Sequence, residues 1–241
     1  MENFDEMTVN YDTEDRIERS KMFAVEFSKN PWQKLPHDIY KKHMGHENVQ
    51  QIEMLSRIVG EQLLLVESIN NPIIAIPGIT SGNGLSNIKQ GQYKTIIGID
   101  INDEYLELCK KQYGYLSELV LYKIDLMTEK DRAAEVLKQA DLIIANLLVK
   151  HIHLNNFIDI IKKSKNSIIS ITIQFNPDGQ VVSNSGYEDA FNEIILHGED
   201  SNESSLNSAM CEAGYFLTGR TEYLLPNKKI FIRLDYKIRV K

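Results

Sequence analysis

Residues 72–100 read PIIAIPGITSGNGLSNIKQGQYKTIIGID, and the order of features within them decides the architecture. Ile73-Ile74-Ala75-Ile76 is a short apolar run between Pro72 and Pro77. It is too short for a helix and fits a strand buried on both faces, as in a parallel sheet. Gly78-Ile79-Thr80-Ser81-Gly82-Asn83-Gly84 follows as a glycine-bearing loop, and Leu85 to Gln90 has helical spacing. A second apolar run, Thr95 to Ile99, ends on Asp100. Strand, glycine loop, helix, strand and acid in that order describe a βαβ unit whose ligand site lies at the carboxyl ends of the strands. Glycines let the main chain approach a ligand closely. A helix N-terminus behind the loop would favour a carboxylate or phosphate, and Asp100 would accept hydrogen bonds from ribose hydroxyls.

The dinucleotide fingerprint G-x-G-x-x-G is not met. Counted from Gly78, its second and third positions hold Thr80 and Asn83; counted from Gly82, the third holds Asn87. The segment instead resembles the first motif of class I S-adenosylmethionine (SAM) dependent methyltransferases, with Gly78 to Gly82 over that family's glycine turn. GIDINDEYLELCKK, residues 98–111, resembles the second motif, whose acid binds the ribose. The resemblance runs from about residue 50 to the end. It implies an α/β, three-layer αβα Rossmann-like fold: a seven-stranded, mostly parallel sheet with a C-terminal antiparallel hairpin and an N-terminal helical lid. Residues 1–70 would form the lid and residues 71–241 the SAM-binding domain. The implied activity is methyl transfer from SAM to a small-molecule acceptor, leaving S-adenosyl-L-homocysteine (SAH). The implied cofactor-binding positions are Gly78, Ile79, Thr80, Gly82, Asp100, Ile101, Asp125, Leu126 and Asn146. Two positions depart from the family pattern. Ile76-Pro77 stands where an acid is usual, and Thr80 stands where a glycine is usual. These departures keep a non-catalytic SAM-binding protein open. An NAD(P)-dependent oxidoreductase is a further alternative, opposed by the broken fingerprint and the terminal hairpin.

Downstream, Asn102 reads as the cap of a helix reaching Gln112, with Asp103 and Glu104 in its first turn and Lys110 and Lys111 in its last. A third strand, Leu119 to Ile124, leads to Asp125-Leu126. In the family an acid here often bonds the adenine amino group; alternatively, Asp125 caps the helix from Glu129 to Gln139. A fourth strand, Asp141 to Ala145, precedes Asn146 and His151, which the resemblance would turn toward the methyl group and the acceptor. His153 reads as solvated. A fifth strand, Ser167 to Phe175, is followed by a polar insertion over 178–205 that carries a helix from Tyr187 to Leu196. Another helix, Leu206 to Glu212, precedes a hairpin of Tyr215 to Leu225 and Lys229 to Lys241. From Ile230 onward apolar residues alternate with Arg233, Asp235, Lys237 and Arg239, which predicts one buried and one wet face. At the other end, an arm over 1–12 and a helix from Thr13 lead to a break at residues 30–36 that holds Trp32. A longer helix from Asn48 to Ser68 carries one apolar stripe.

The chain has 241 residues, 42% of them hydrophobic, enough for one full core with an embellishment. Lys and Arg number 27 against 34 Asp and Glu, a net charge of −7. That balance disfavours nucleic acid, whose binding relies on neutralising phosphates with basic groups. Cys109 and Cys211 lie far apart, without metal-ligand spacing or a disulfide framework. MENFDEMTVN has no apolar core of a signal peptide, and no apolar run reaches the roughly 18 residues of a membrane span. A cytoplasmic protein is expected, as a monomer or a homodimer, with no metal site. Methyl transfer calls for an acceptor held in line and for exclusion of water. A general base is needed only for a hydroxyl or a protonated amine. Tyr11, His151 and Gln174 are the candidate catalytic residues, and His43 and His46 are further polar candidates for the lining.

Overall fold

The computed structural model describes residues 30–177, 179–199 and 202–239. Tyr11, the arm over 1–12 and the helix expected from Thr13 lie outside the described residues. Seven strands, β1 (Ile73–Pro77), β2 (Thr95–Asp100), β3 (Leu119–Lys123), β4 (Leu142–Asn146), β5 (Ile168–Phe175), β6 (Tyr215–Leu224) and β7 (Ile230–Ile238), form one sheet in the order β3-β2-β1-β4-β5-β7-β6. The first five run parallel, and β7 is antiparallel to both of its neighbours. The order reverses between β1 and β4, so their carboxyl ends diverge and leave a crevice there.

Eight helices surround the sheet among the described residues: α1 (His37–Met44), α2 (Gln51–Leu63), α3 (Asp103–Tyr113), α4 (Lys130–Leu137), α5 (Val149–Ile152), α6 (Leu154–Ser164), α7 (Asn192–His197) and α8 (Glu203–Glu212). α3 begins where its sequence says, because the Asn102 carboxamide oxygen accepts the free amide of Tyr105. α4, α6 and α8 cover one face of the sheet, joining Leu137, Ile161 and Met210 to Ile143 and Ile169. α2, α3 and a short turn at Leu85–Asn87 cover the other, joining Val59, Cys109 and Leu85 to Ile74 and Ile96. Burial pushes the Cys109 thiol up to about 12, so this residue contributes packing and no thiolate chemistry.

Three local expectations change. The helix expected over Leu85 to Gln90 is a single 3-10 turn, Leu85–Asn87. Gly84 and Gly91 bracket it in left-handed conformations, and the Asn87 carboxamide donates to the main-chain oxygens of Gly84 and Ser56 instead of extending a helix. No helix terminus therefore faces a ligand from this crossover. His153, expected to be solvated, has a φ of 67° at the junction of α5 and α6, and its Nε2 lies 2.9 Å from the His197 carbonyl oxygen.

The third change concerns the alternating strand. β7 lies inside the sheet, and α2 packs on the face expected to be wet, placing Leu55 and Ile58 against Tyr223 and Phe231. Arg233 is only 7% exposed and Asp235 6%. They form a bidentate pair at 3.0 and 2.8 Å, and Ser170 also donates to Asp235. Removing one partner of a buried pair leaves the other charge desolvated, so Arg233→Ala should lose about 3–5 kcal/mol in urea unfolding. A solvated position would lose at most about 0.5 kcal/mol, and a loss that small would refute the burial of this pair.

Candidate functional site

A cavity of about 220 Å³ opens at the carboxyl ends of β1, β2 and β4. Its floor is the turn after β1. The amides of Gly78 and Ile79 both donate to the Ile99 carbonyl, at 2.8 and 3.0 Å, which pins the turn to β2. Gly78 has a φ of 74°, and a Cβ added there would stand 3.2 Å from Leu148 Cδ1. Thr80 has a φ of 52°, a conformation a β-branched side chain rarely adopts. Two bonds hold it: its amide donates to Asp100 Oδ2 at 2.8 Å, and its hydroxyl donates to the Ile79 carbonyl at 2.7 Å.

Asp100 is buried among these groups, and its Oδ1 accepts the amide of Asn102 at 2.9 Å. Burial raises its pKa from 3.8 to about 6, against the pull of the amides of Asn102, Thr80 and Ile101. Asn102 in turn donates from its carboxamide to the carbonyls of Trp32 (2.8 Å) and Leu35 (3.2 Å). The end of β2 therefore holds both the glycine loop and the segment that roofs the cavity. At the end of β3, Asp125 accepts the amide of Met127 at 2.9 Å, closing the turn toward α4 while lining the cavity.

At the end of β4 the Asn146 oxygen accepts from Gln62 Nε2 (2.8 Å) and from the Thr172 hydroxyl (2.6 Å). Its Nδ2 donates to Gln62 Oε1 at 2.9 Å. A reciprocal carboxamide pair thus turns Asn146 toward α2 and leaves one of its N–H groups for the cavity. Gln62 continues the chain to Ser170 at 2.9 Å, and Ser170 to Asp235. His151 stands edge-on to Trp32, ring centroids 4.8 Å apart. Burial, with Lys150 and His197 nearby, pulls its pKa down to about 3, so it is neutral near pH 7 and a poor base.

Of the positions expected from the sequence, Gly78, Thr80, Asp100, Ile101, Asp125, Leu126, Asn146, His151 and Gln174 all line this one cavity. Ile79 and Gly82 do not. Ile79 is fully buried in the core, and Gly82 faces the Tyr113 ring, where any Cβ would collide. These two serve packing beneath the loop. His43 lines the cavity with its Nδ1 2.5 Å from the Ser185 hydroxyl, whereas His46 accepts the Asn48 amide outside it. Trp32, Tyr40, Tyr105 and Phe191 also line the cavity. No motif announces them. The one available signal was the placement of the chain's single Trp in a proline-flanked break just before the first described helix.

No protein-family model matches this sequence, and no curated protein matches it. Solved structures match its fold. The magnesium protoporphyrin IX methyltransferase ChlM from Synechocystis PCC 6803, with bound SAM, aligns over 96% of this chain and 100% of its own at 10% identity and a TM-score of 0.57. The N-methyltransferase NodS from Bradyrhizobium japonicum WM9, in complex with SAH, aligns over 88% and 100% at 10% identity and a TM-score of 0.59. The 4+2 cyclase SpnF aligns over 80% and 84% at 12% identity and a TM-score of 0.57. At such identities the likeness concerns architecture: the chain has the Rossmann-like class I methyltransferase fold. Among the described residues no helix is long and apolar enough to cross a membrane.

The raised pKa of Asp100 has a measurable consequence for stability. The folded-state value lies above the unfolded one, so the ionised carboxylate costs stability above about pH 6, and the cost fades as pH falls toward 3.8. Relative to Asp100→Asn, the native protein should gain about 2 kcal/mol of unfolding free energy between about pH 7.5 and about pH 4.5. Urea titrations at the two pH values check this, and an unchanged difference would contradict it.

Proposed function

We propose that this protein is a SAM-dependent methyltransferase acting on a small molecule. The observation that carries the reading is the buried Asp100 carboxylate at the end of β2, bonded across to the turn after β1 beside an open cavity. The residues present fit the cofactor. Asp100 has lone pairs beyond those its amides use, and Ile101, Leu126 and Leu148 offer apolar surface to an adenine. Gly78, Asn83 and Asn146 line the same cavity and would face the methionine part. There the chain offers neutral carboxamides where the family usually has an acid near Ile76-Pro77, so a zwitterion would be held by hydrogen bonds without an ion pair.

Bound in this way, SAM would supply an electrophilic methyl on its sulfonium. The chain's own task is then orientation and exclusion of water. Asn146 supplies a donor, and its acceptor oxygen is already taken by Gln62 and Thr172. His151 is neutral and Gln174 does not titrate, so neither serves as a strong base. An acceptor with an available lone pair suits this lining better than one that must first lose a proton. Tyr11 stays a candidate only as part of the 1–70 lid, set against the 71–241 domain. Within that lid, residues 31–44 roof the cavity, while α2 packs on the sheet as a layer of the sandwich.

A small-molecule acceptor is supported by the cavity's enclosure between the 30–44 segment and residues 181–195, and by the net charge of −7. A SAM-binding protein without methyl transfer is the second reading, favoured by Ile76-Pro77 and by the weak basicity of His151. Calorimetry with SAH should show binding, and Asp100→Ala should weaken it by about 1.5–3 kcal/mol; no heat at high micromolar SAH would refute the cofactor. With methyl-labelled SAM and a cell extract, label should enter the low-molecular-weight fraction. Label confined to RNA or protein would refute the acceptor class, and binding with no label transfer anywhere would favour the second reading.

A further inference from the structure

Among the described residues four buried side-chain polar atoms lack a hydrogen-bond partner: Trp32 Nε1, Tyr105 OH, His151 Nδ1 and Asn166 Oδ1. Three of the four belong to residues lining the same cavity. Burial of a polar group without a partner is costly and uncommon in folded proteins, so a concentration of such atoms around one cavity points to polar groups of a ligand. Tyr105 is the most deeply placed, 1% exposed.

The rings that carry these atoms form one continuous wall. Trp32 meets His151 edge-on at 4.8 Å and Tyr40 at 6.4 Å, and Tyr40 leans on Tyr105 at 5.5 Å. The wall starts beside Asp100, which acts electrostatically on both tyrosine hydroxyls, and ends at His151 beyond β4. Its backbone is fastened to the same place, since Asn102 donates its main-chain amide to Asp100 and its carboxamide to the Trp32 carbonyl. The indole N–H can only donate, a tyrosine hydroxyl can do both, and a neutral imidazole nitrogen does either according to its tautomer. The complementary ligand therefore has a hydroxyl near Tyr105 and Asp100, a flat apolar body along the rings, and a heteroatom edge facing Trp32 and His151.

We infer that this aromatic wall reads the nucleoside half of the ligand, with Tyr105 bonding a ribose hydroxyl and Trp32 and His151 bonding the edge of a purine. This rests on the SAM reading above and deepens it. The specificity for an adenosine would then come jointly from the β2 carboxylate and from the roof. His151 becomes a purine contact, outside the transfer chemistry.

The chain's single Trp makes this testable on the full-length protein. Selectively excited Trp32 emission should change saturably with adenosine, 5′-methylthioadenosine and SAH, and should not respond to homocysteine. Tyr105→Phe, which keeps the ring and removes the unpaired hydroxyl, should bind SAH about tenfold more weakly by calorimetry while unfolding no earlier than the native protein. Trp32→Phe should weaken SAH comparably. SAH heat with unmoved Trp32 emission and native-like affinity in Tyr105→Phe would overturn the nucleoside wall and leave the cofactor reading standing. No SAH heat with the native protein would overturn both.

Discussion

Asp100 is the group on which the arrangement of the cavity depends. Its two oxygens take the amides of Thr80 and Asn102, so one carboxylate fixes the turn after β1 and the start of α3 together. Through the carboxamide of Asn102 the same carboxylate fixes the segment that carries Trp32 and Leu35. Among the described residues no cation neutralises it there. Main-chain amides hold it against the desolvation that drives its pKa up, and Thr80 keeps an unfavourable φ to supply one of them. A buried carboxylate bonded only to amides gains from further donors, and ligand hydroxyls are donors of the required kind.

A second polar chain fixes the other side of the cavity. It runs from Asn146 through Gln62 and Ser170 to the Asp235–Arg233 pair, and from there to Glu61, which also accepts from Tyr223. These bonds tie α2 to β4, β5 and β7 behind the site. In a low-dielectric interior such a chain is stabilising only while every member is satisfied. It therefore specifies one arrangement of α2 on the sheet and one orientation of the Asn146 carboxamide. The Asn146 side of the cavity is thus shaped by residues that do not line it.

The parallel half of the sheet was legible because each of its strands is a short apolar run closed by a turn residue. The acid at the end of β2 was legible because its neighbours Asn102, Asp103 and Glu104 mark a helix start. Glycines were harder to read. Gly78 borders the cavity, but Gly82 is glycine because Tyr113 occupies the space of a Cβ, and sequence does not separate these causes. Spacing also misled at Leu85 to Gln90, where six residues between two left-handed glycines cannot sustain a helix. On β7 the alternation was real. Its meaning depended on which strand sits at the edge: β6 takes that place and α2 covers Arg233 and Asp235, while Lys237 and Arg239 of the same row stay exposed. The aromatic wall is assembled from residues 32, 40, 105 and 151, whose proximity is a product of topology and leaves no local pattern.

Neighbours in fold include methyltransferases and a cyclase, so the architecture fixes where a ligand sits more firmly than what becomes of it. In this chain the strand ends create the crevice, and the chemistry falls to the lining. The lining combines the Asp100 carboxylate and unpaired polar atoms of Trp32, Tyr105 and His151 with Met44, Phe191 and Ile194, which pack in one cluster with Tyr40 and Tyr105. A carboxamide donor stands at Asn146, at the end of β4. A lining of that kind can orient a ligand through its polar groups while its apolar groups exclude water. A displacement at an electrophilic carbon needs that combination and little else, whereas a hydrolysis or a proton abstraction would call on a free base: His151, pulled down to about 3, is a weak one, and Asp100, raised to about 6, is engaged by the amides of Thr80 and Asn102.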